Sequence, residues 1–488
     1  MARAGFLFPW GVDAVNLIRN ISAFGATIFI LTLSLATAAF AQEGERSDEG
    51  KLTPYTPCAI DLVELSALPE FLTRAALEEI RINRKLLRGY YEESAGDRDS
   101  LSENFPMLKS GARQLIRLVQ DNLKMLDSTR RTAALLYSVP SNGGDGSVLC
   151  VWFVTTQDTM LVTTRKEVPL ARFIQDRLGV TARAAVRAPI RRDGRPVVGE
   201  IGPVELTPER KREALEQTAE VMLPPAIRGK IESQQIRRVL IFAQDDLGTV
   251  PFAALPMGDD RLLADVASIL ILPNISQLLE PWPSRPNLSG EKLVVGDPDF
   301  STNKTWILQD LPAAKAEAVE VAEMFGSPVL VGKSATRRAI MRKLDTPTIG
   351  LAYFATHGVA DGVNPMDGSF LALAGDLLYG RDIKNLKLKS GPLVVMSACQ
   401  TGLGKVFPGG MFGLARAWFF AGAPQVVMSL WDLDDEATKL LMVKLMTKVA
   451  AQEPIELAMQ EAMRETKSVF PDPALWAGFA VYGQPTRF

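Results

Sequence analysis

One histidine, His357, stands among the 488 residues of the chain. That scarcity excludes any metal centre built on several imidazoles of one chain. It also means that a mechanism using imidazole as a base has to use His357. Cysteine is nearly as rare: Cys58, Cys150 and Cys399 are too few for a disulfide scaffold. An excess of one charge is missing too. Lys and Arg number 54 and Asp and Glu 56, a net charge of −2, so no global field attracts nucleic acid or an anionic membrane. There is no repeat of fixed period and no G-x-S-x-G elbow, which disfavours a repeat array and an α/β-hydrolase. Gly332-Lys333-Ser334 lacks the glycine a phosphate loop needs upstream, where Ser327 stands. With 47% hydrophobic and 23% charged residues the chain is not a disordered one. Its length corresponds to roughly three domains of about 150 residues.

The long apolar run is at the N-terminus. Residues 21–41 carry no charge, follow Arg3 and Arg19, and end in Ala39-Phe40-Ala41, the small-x-small form of a signal-peptidase site. The same run is long enough to cross a bilayer core of about 30 Å. Residues 1–41 therefore read as a signal peptide, with cleavage near Ala41 preferred, or as an N-terminal membrane anchor. Either reading puts the rest of the chain outside the cytoplasm, periplasmic or secreted, with membrane contact only if the segment is retained. Three cysteines in an oxidising compartment are an odd number. Cys58 and Cys150 could pair and leave Cys399 reduced; the alternative is three isolated thiols.

Residues 42–131 form a helical region. Amphipathic patterns over Pro69–Ser94 and Leu108–Leu126 suggest a helical hairpin. From 132 the texture changes. Ala133–Val139, Val148–Thr156 and Thr159–Thr164 read as an antiparallel meander. Arg183–Arg195, with five arginines among Pro and Gly, reads as a solvated loop, with a processing site as the alternative. After a helix at Pro208–Met222, short apolar strands alternate with helices to the end of the chain. Strands apolar throughout predict an α/β fold with a parallel-rich sheet and helices on both faces.

Two of these strands end in chemistry. Leu351–Ala355 runs into Thr356-His357-Gly358, and Pro392–Met396 runs into Ser397-Ala398-Cys399-Gln400-Thr401-Gly402. Ligands of open α/β sheets bind at the C-terminal ends of strands. If the two strands are neighbours, His357 and Cys399 share one cleft. A thiol with an ordinary pKa of about 8.5 is only a few per cent ionised at pH 7, and an adjacent imidazole can take its proton and return it to a leaving amine. The backbone N–H groups of Gly358 and Cys399 are the natural oxyanion donors, and Gly358 has no Cβ to keep substrate away. Ser397 is the weaker choice of nucleophile beside Cys399. Singly, Cys399 and His357 also read as a buried thiol and a satisfied structural imidazole.

An ordered set of further segments accompanies this pair: Val250-Pro251-Phe252-Ala253-Ala254-Leu255, Leu311-Pro312-Ala313-Ala314 with Glu317, Gly332-Lys333-Ser334-Ala335-Thr336, Ala421-Gly422-Ala423, Ser429-Leu430-Trp431, and Trp476-Ala477-Gly478-Phe479 with Gly483. With them, residues 132–488 resemble the CHAT domain, a caspase-like cysteine peptidase domain of clan CD, with an N-terminal subdomain at 132–290 and a catalytic one at 291–488. The resemblance implies a cysteine endopeptidase with a Cys399–His357 dyad, a thioester acyl-enzyme, a protein substrate and an activating protein partner, with no cofactor; export is read from the N-terminal segment, and the absence of a metal or nucleic-acid partner from the composition. The alternative is a catalytically silent scaffold or protein-binding module. Two features depart from the family: Gln400 replaces its usual acidic residue, and no tetratricopeptide array is present. Asp361, Asp367, Asp432, Asp434, Asp435 and Glu436 follow the two relevant strands and are candidates for binding a basic P1 side chain, or else loop charges and helix N-caps. The glycine-rich stretch 402–413 reads either as a turn into the next helix or as a substrate-gating loop.

Overall fold

The computed structural model describes residues 111–129, 131–138, 148–165, 170–179, 190–191, 207–243, 245–273, 288–361, 365–397, 413–431 and 433–486. The apolar run 21–41, the expected helix Pro69–Ser94, Cys58, Cys399, Gln400, residues 401–412 and Asp432 lie outside them. Of the expected hairpin, the second helix is described, as α1 (Gly111–Leu126). Residues 123–273 and 282–488 form one compact unit.

Its frame is a sheet of eleven strands. In chain order these are β1 (Thr132–Ser138), β2 (Val148–Val154), β3 (Thr159–Arg165), β4 (Arg238–Ala243), β5 (Ser268–Ile271), β6 (Glu291–Pro298), β7 (Val329–Gly332), β8 (Ile349–Ala355), β9 (Leu393–Met396), β10 (Gln425–Ser429) and β11 (Phe479–Gly483). Across the sheet the order is β7-β6-β8-β9-β10-β11-β5-β4-β1-β2-β3. The expected meander is present, with β1, β2 and β3 antiparallel. All other neighbours are parallel except β11, which runs antiparallel to β10.

The composition of the strands explains their place. Every residue of β8, β9 and β10 is buried, as befits apolar strands inside a covered sheet. The principal helices are α2 (Pro208–Met222), α3 (Pro312–Met324), α4 (Arg337–Leu344), α5 (Gly413–Ala421), α6 (Asp435–Ala450) and α7 (Ile455–Val469). Their starts follow capping chemistry: Thr207, Thr336 and Asp434 accept N–H bonds from the first turns of α2, α4 and α6. Helix α3 lies on β6 and β8, and Gly296 makes the close approach feasible. A Cβ there would fall 2.3 Å from Cβ of Ala318 and 3.0 Å from the carbonyl of Ala314.

The two halves of the sheet join where β11 pairs with β5 through Tyr482 and Ile271. Just before β11, Gly478 accommodates the buried indole of Trp431: a Cβ would lie 2.7 Å from that ring. Trp431 donates its Nε1–H to the carbonyl of Ala474 at 3.0 Å. Two of the sequence segments noted above therefore interlock as packing. Behind them, Arg238 of β4 and Glu456 of α7 form an ion pair with side chains no more than 1% exposed. Arg238 also donates to the carbonyl of Thr486 at 2.8 Å. One expectation is modified. Within the arginine-rich stretch 183–195 only Ile190–Arg191 is described, and it pairs antiparallel with Trp306–Ile307; the rest of the stretch lies outside the described residues.

Candidate active site

Strands β8 and β9 are parallel neighbours, in register from Leu351 beside Leu393 to Phe354 beside Met396. Both turn polar at the same edge, into Thr356-His357-Gly358 and into Ser397. The condition the sequence set, that the histidine and cysteine strands adjoin, is met. Cys399, two residues beyond Ser397, is outside the described residues.

The backbone of His357 is fixed on both sides. Its carbonyl accepts the N–H of Ala372 at 2.8 Å, and the hydroxyl of Thr356 donates to the carbonyl of Ala372 at 2.7 Å. Ala372 belongs to a hairpin, Phe370–Leu373 and Asp376–Tyr379, turned at Gly375 with φ 70°. Gly358 faces Leu371 across this ladder. The Ala372-to-His357 bond makes them a pair without mutual hydrogen bonds, so the N–H of Gly358 points away from the hairpin.

The ring of His357 meets Phe300 edge-on at 5.0 Å, and Phe300 belongs to an apolar cluster with Trp306, Val359 and Phe370. Nε2 lies 2.7 Å from the carbonyl oxygen of Gln309. A carbonyl only accepts, so Nε2 carries the hydrogen and the neutral ring presents its lone pair at Nδ1. Nδ1 has no partner among the described residues. Burial pushes the pKa of His357 down, against the Gln309 carbonyl and the charges of Asp297 and Asp435. The ring is therefore neutral at pH 7 and able to accept a proton. Sequence reasoning missed Gln309, because its contribution is a backbone carbonyl and any residue type has one.

Beneath the strand ends lies a buried acid. Glu317 of α3 accepts the hydroxyl of Tyr353 at 2.6 Å, and the Ser397 side chain adjoins both. Burial pushes the Glu317 carboxyl up to about 8, against those two hydroxyls and Lys439. Two of the acidic P1 candidates are already engaged: Asp367 pairs with Arg381 at 3.1 Å, and Asp434 caps α6. Asp435 directs its charge at His357 and Glu317. Among the described residues no cluster of three or more His, Cys, Asp or Glu could hold a metal.

A mainly parallel sheet carrying a polarised histidine at the C-terminal edge of one inner strand, beside the strand that leads to a cysteine, defines a caspase-like α/β protein. Residues 212–484 match the CHAT domain model, and the chain belongs to the CHAT domain family. It is 26% identical over 302 residues to tetratricopeptide repeat protein 28 of Homo sapiens, and 25% identical over 301 residues to the Mus musculus protein. Each match takes in 51% of this chain and 12% of the relative, so the chain spans a small part of those proteins. Among solved structures it is similar to separase in the Saccharomyces cerevisiae separase–securin complex, with a TM-score of 0.50 and 10% identity over 88% of this chain and 34% of that one. The Arg-specific cysteine proteinase gingipain R matches with a TM-score of 0.39 and 12% identity, over 65% of this chain and 74% of that one.

Proposed function

We propose that this CHAT-family chain is a cysteine endopeptidase acting on a protein substrate, with Cys399 as nucleophile and His357 as general base and acid. The observation that carries the reading is the register of β8 and β9: Phe354 pairs with Met396, and His357 and Cys399 each follow three residues later in the sequence. The imidazole bonded at Nε2 and open at Nδ1 supplies the base. Nδ1 takes the thiol proton as Sγ bonds to the scissile carbonyl carbon. The imidazolium then protonates the leaving amine as the C–N bond breaks, leaving a thioester that water hydrolyses. The N–H groups of Gly358 and Cys399 receive the oxyanion.

The place of action follows from two further features. Residues 1–41 have the form of an export signal or anchor, and Cys150 on β2 is disulfide-bonded, which fits an oxidising compartment. Periplasmic or secreted action on a protein substrate, with a protein partner as activator, is the corresponding proposal.

The test needs no known substrate. Alkylation of Cys399 is followed against pH in the mature protein and in His357→Ala. A thiolate formed well below pH 8.5, lost in His357→Ala, supports the dyad. A slow rate that does not depend on His357 overturns it and favours a silent binding module. Cys399→Ala should abolish cleavage of any substrate found while leaving thermal unfolding unchanged.

A further inference from the structure

We propose that Asp297 is a positioning residue: from a left-handed backbone kink at the end of β6 it holds the segment that presents the Gln309 carbonyl to His357. This inference rests on the dyad reading above and adds to it what sets the tautomer of the base.

The argument starts at the backbone. Asp297 has φ 42°, a region that non-glycine residues avoid and that Asp tolerates better than most. The kink follows Gly296, which pairs with Ala355, two residues before His357. Turned out of the ladder, the Asp297 carboxylate reaches the start of α3, where Oδ1 accepts the N–H of Leu311 at 2.8 Å. In the ladder with β7 the register passes from Gly296 to Pro298, so Asp297 is the extra residue of a bulge, and its carboxylate, freed from the ladder, is what bonds Leu311.

That bond closes one end of a short bridge. At the other end, Asn303 accepts the N–H groups of Thr305 and Trp306 at 2.9 Å each, and the Trp306 ring packs 5.3 Å from Phe370. Gln309 hangs between these anchors with its carbonyl on Nε2 of His357 at 2.7 Å. A slack bridge would let Nε2 lose its acceptor, and the ring would then populate the Nδ1–H tautomer, which cannot accept the thiol proton. The charged groups facing the ring are Asp297 from β6 and Asp435 from α6. Their carboxylates also stabilise the imidazolium that forms in catalysis.

A single histidine makes the test direct. Histidine-labelled full-length protein gives one set of ring resonances, so long-range proton–nitrogen spectra report the tautomer and titration of His357 alone. The expected wild-type ring is neutral at pH 7 with hydrogen on Nε2. Asp297→Asn keeps an acceptor for Leu311 and should keep the tautomer while its titration moves to lower pH. Asp297→Ala removes the acceptor, should mix the two tautomers, and should slow Cys399 alkylation on the order of 10- to 100-fold, the range expected for a small misplacement. Asp435→Asn should shift the titration without mixing tautomers. A wild-type ring with hydrogen on Nδ1, or an unmixed tautomer in Asp297→Ala, overturns the proposal. If the tautomer follows Asp297 while Cys399 reactivity never depends on His357, the positioning role stands and the peptidase reading fails.

Discussion

Replacing Glu317 by Gln should remove a large part of the pH dependence of stability between pH 5 and 8. The carboxyl is 2% exposed, and burial raises its pKa in the folded protein to about 8 from 4.5. Between those values the folded state holds a proton that the unfolded state has released. The stabilisation is fully present below pH 4.5 and is lost as pH rises towards 8. One proton of difference corresponds to about 1.4 kcal/mol per pH unit, or ~4 kcal/mol from pH 5 to pH 8. Glutamine is neutral throughout and keeps an acceptor for the Tyr353 hydroxyl. Wild type should therefore lose stability relative to Glu317→Gln across this range, and the variant should be the more stable at pH 8.

The assay is urea unfolding of both proteins at several pH values, because other titrating groups cancel in the difference. A difference that stays flat from pH 5 to 8, or that grows in favour of wild type, refutes the reasoning. The consequence reaches the site as well. Tyr353 lies four residues before His357 and Ser397 two before Cys399, so ionising Glu317 puts a charge under both strand ends. Cys399 reactivity above pH 8 should depend on Glu317 in addition to the thiol itself.

Two further outcomes are expected. Glu456→Ala strands the buried guanidinium of Arg238 and should cost about 3–5 kcal/mol in chemical unfolding, whereas a double replacement by methionine at both positions should recover much of it; equal losses in single and double variants would contradict this. Cys150 is disulfide-bonded, and β2 stands six strand positions from β9, about 29 Å at ~4.8 Å per strand. The two residues after Ser397 bridge no more than ~7 Å, and the α-carbons of a disulfide lie within about 7 Å. Non-reducing peptide mapping of the mature protein should therefore find Cys58 linked to Cys150 and one alkylatable thiol, Cys399; a Cys150–Cys399 peptide would overturn the sheet order.

What could be read in advance was whatever the side-chain pattern encodes. The fully apolar runs of β8 and β9, and Thr207 ahead of Pro208, mark their elements because burial and capping act through residue type. The hairpin Phe370–Tyr379 was overlooked although Ala374-Gly375 divides two apolar runs, and it is this hairpin that fixes the backbone of His357. The strand β11 and its antiparallel direction were also missed, since direction depends on how α6 and α7 return the chain and not on the strand's own composition. The deeper gap concerns Gln309. Its side chain gives no sign of its role, and a scan for chemistry-bearing residues passes over it. Asp297 is different. An aspartate between Gly296 and Pro298, at the edge of a buried strand, already breaks the apolar pattern, and the only histidine of the chain lies one strand away. A polar residue that is costly to place where it stands is the signal from which a backbone partner could have been sought, by asking which N–H it bonds and what that segment then presents to the ring.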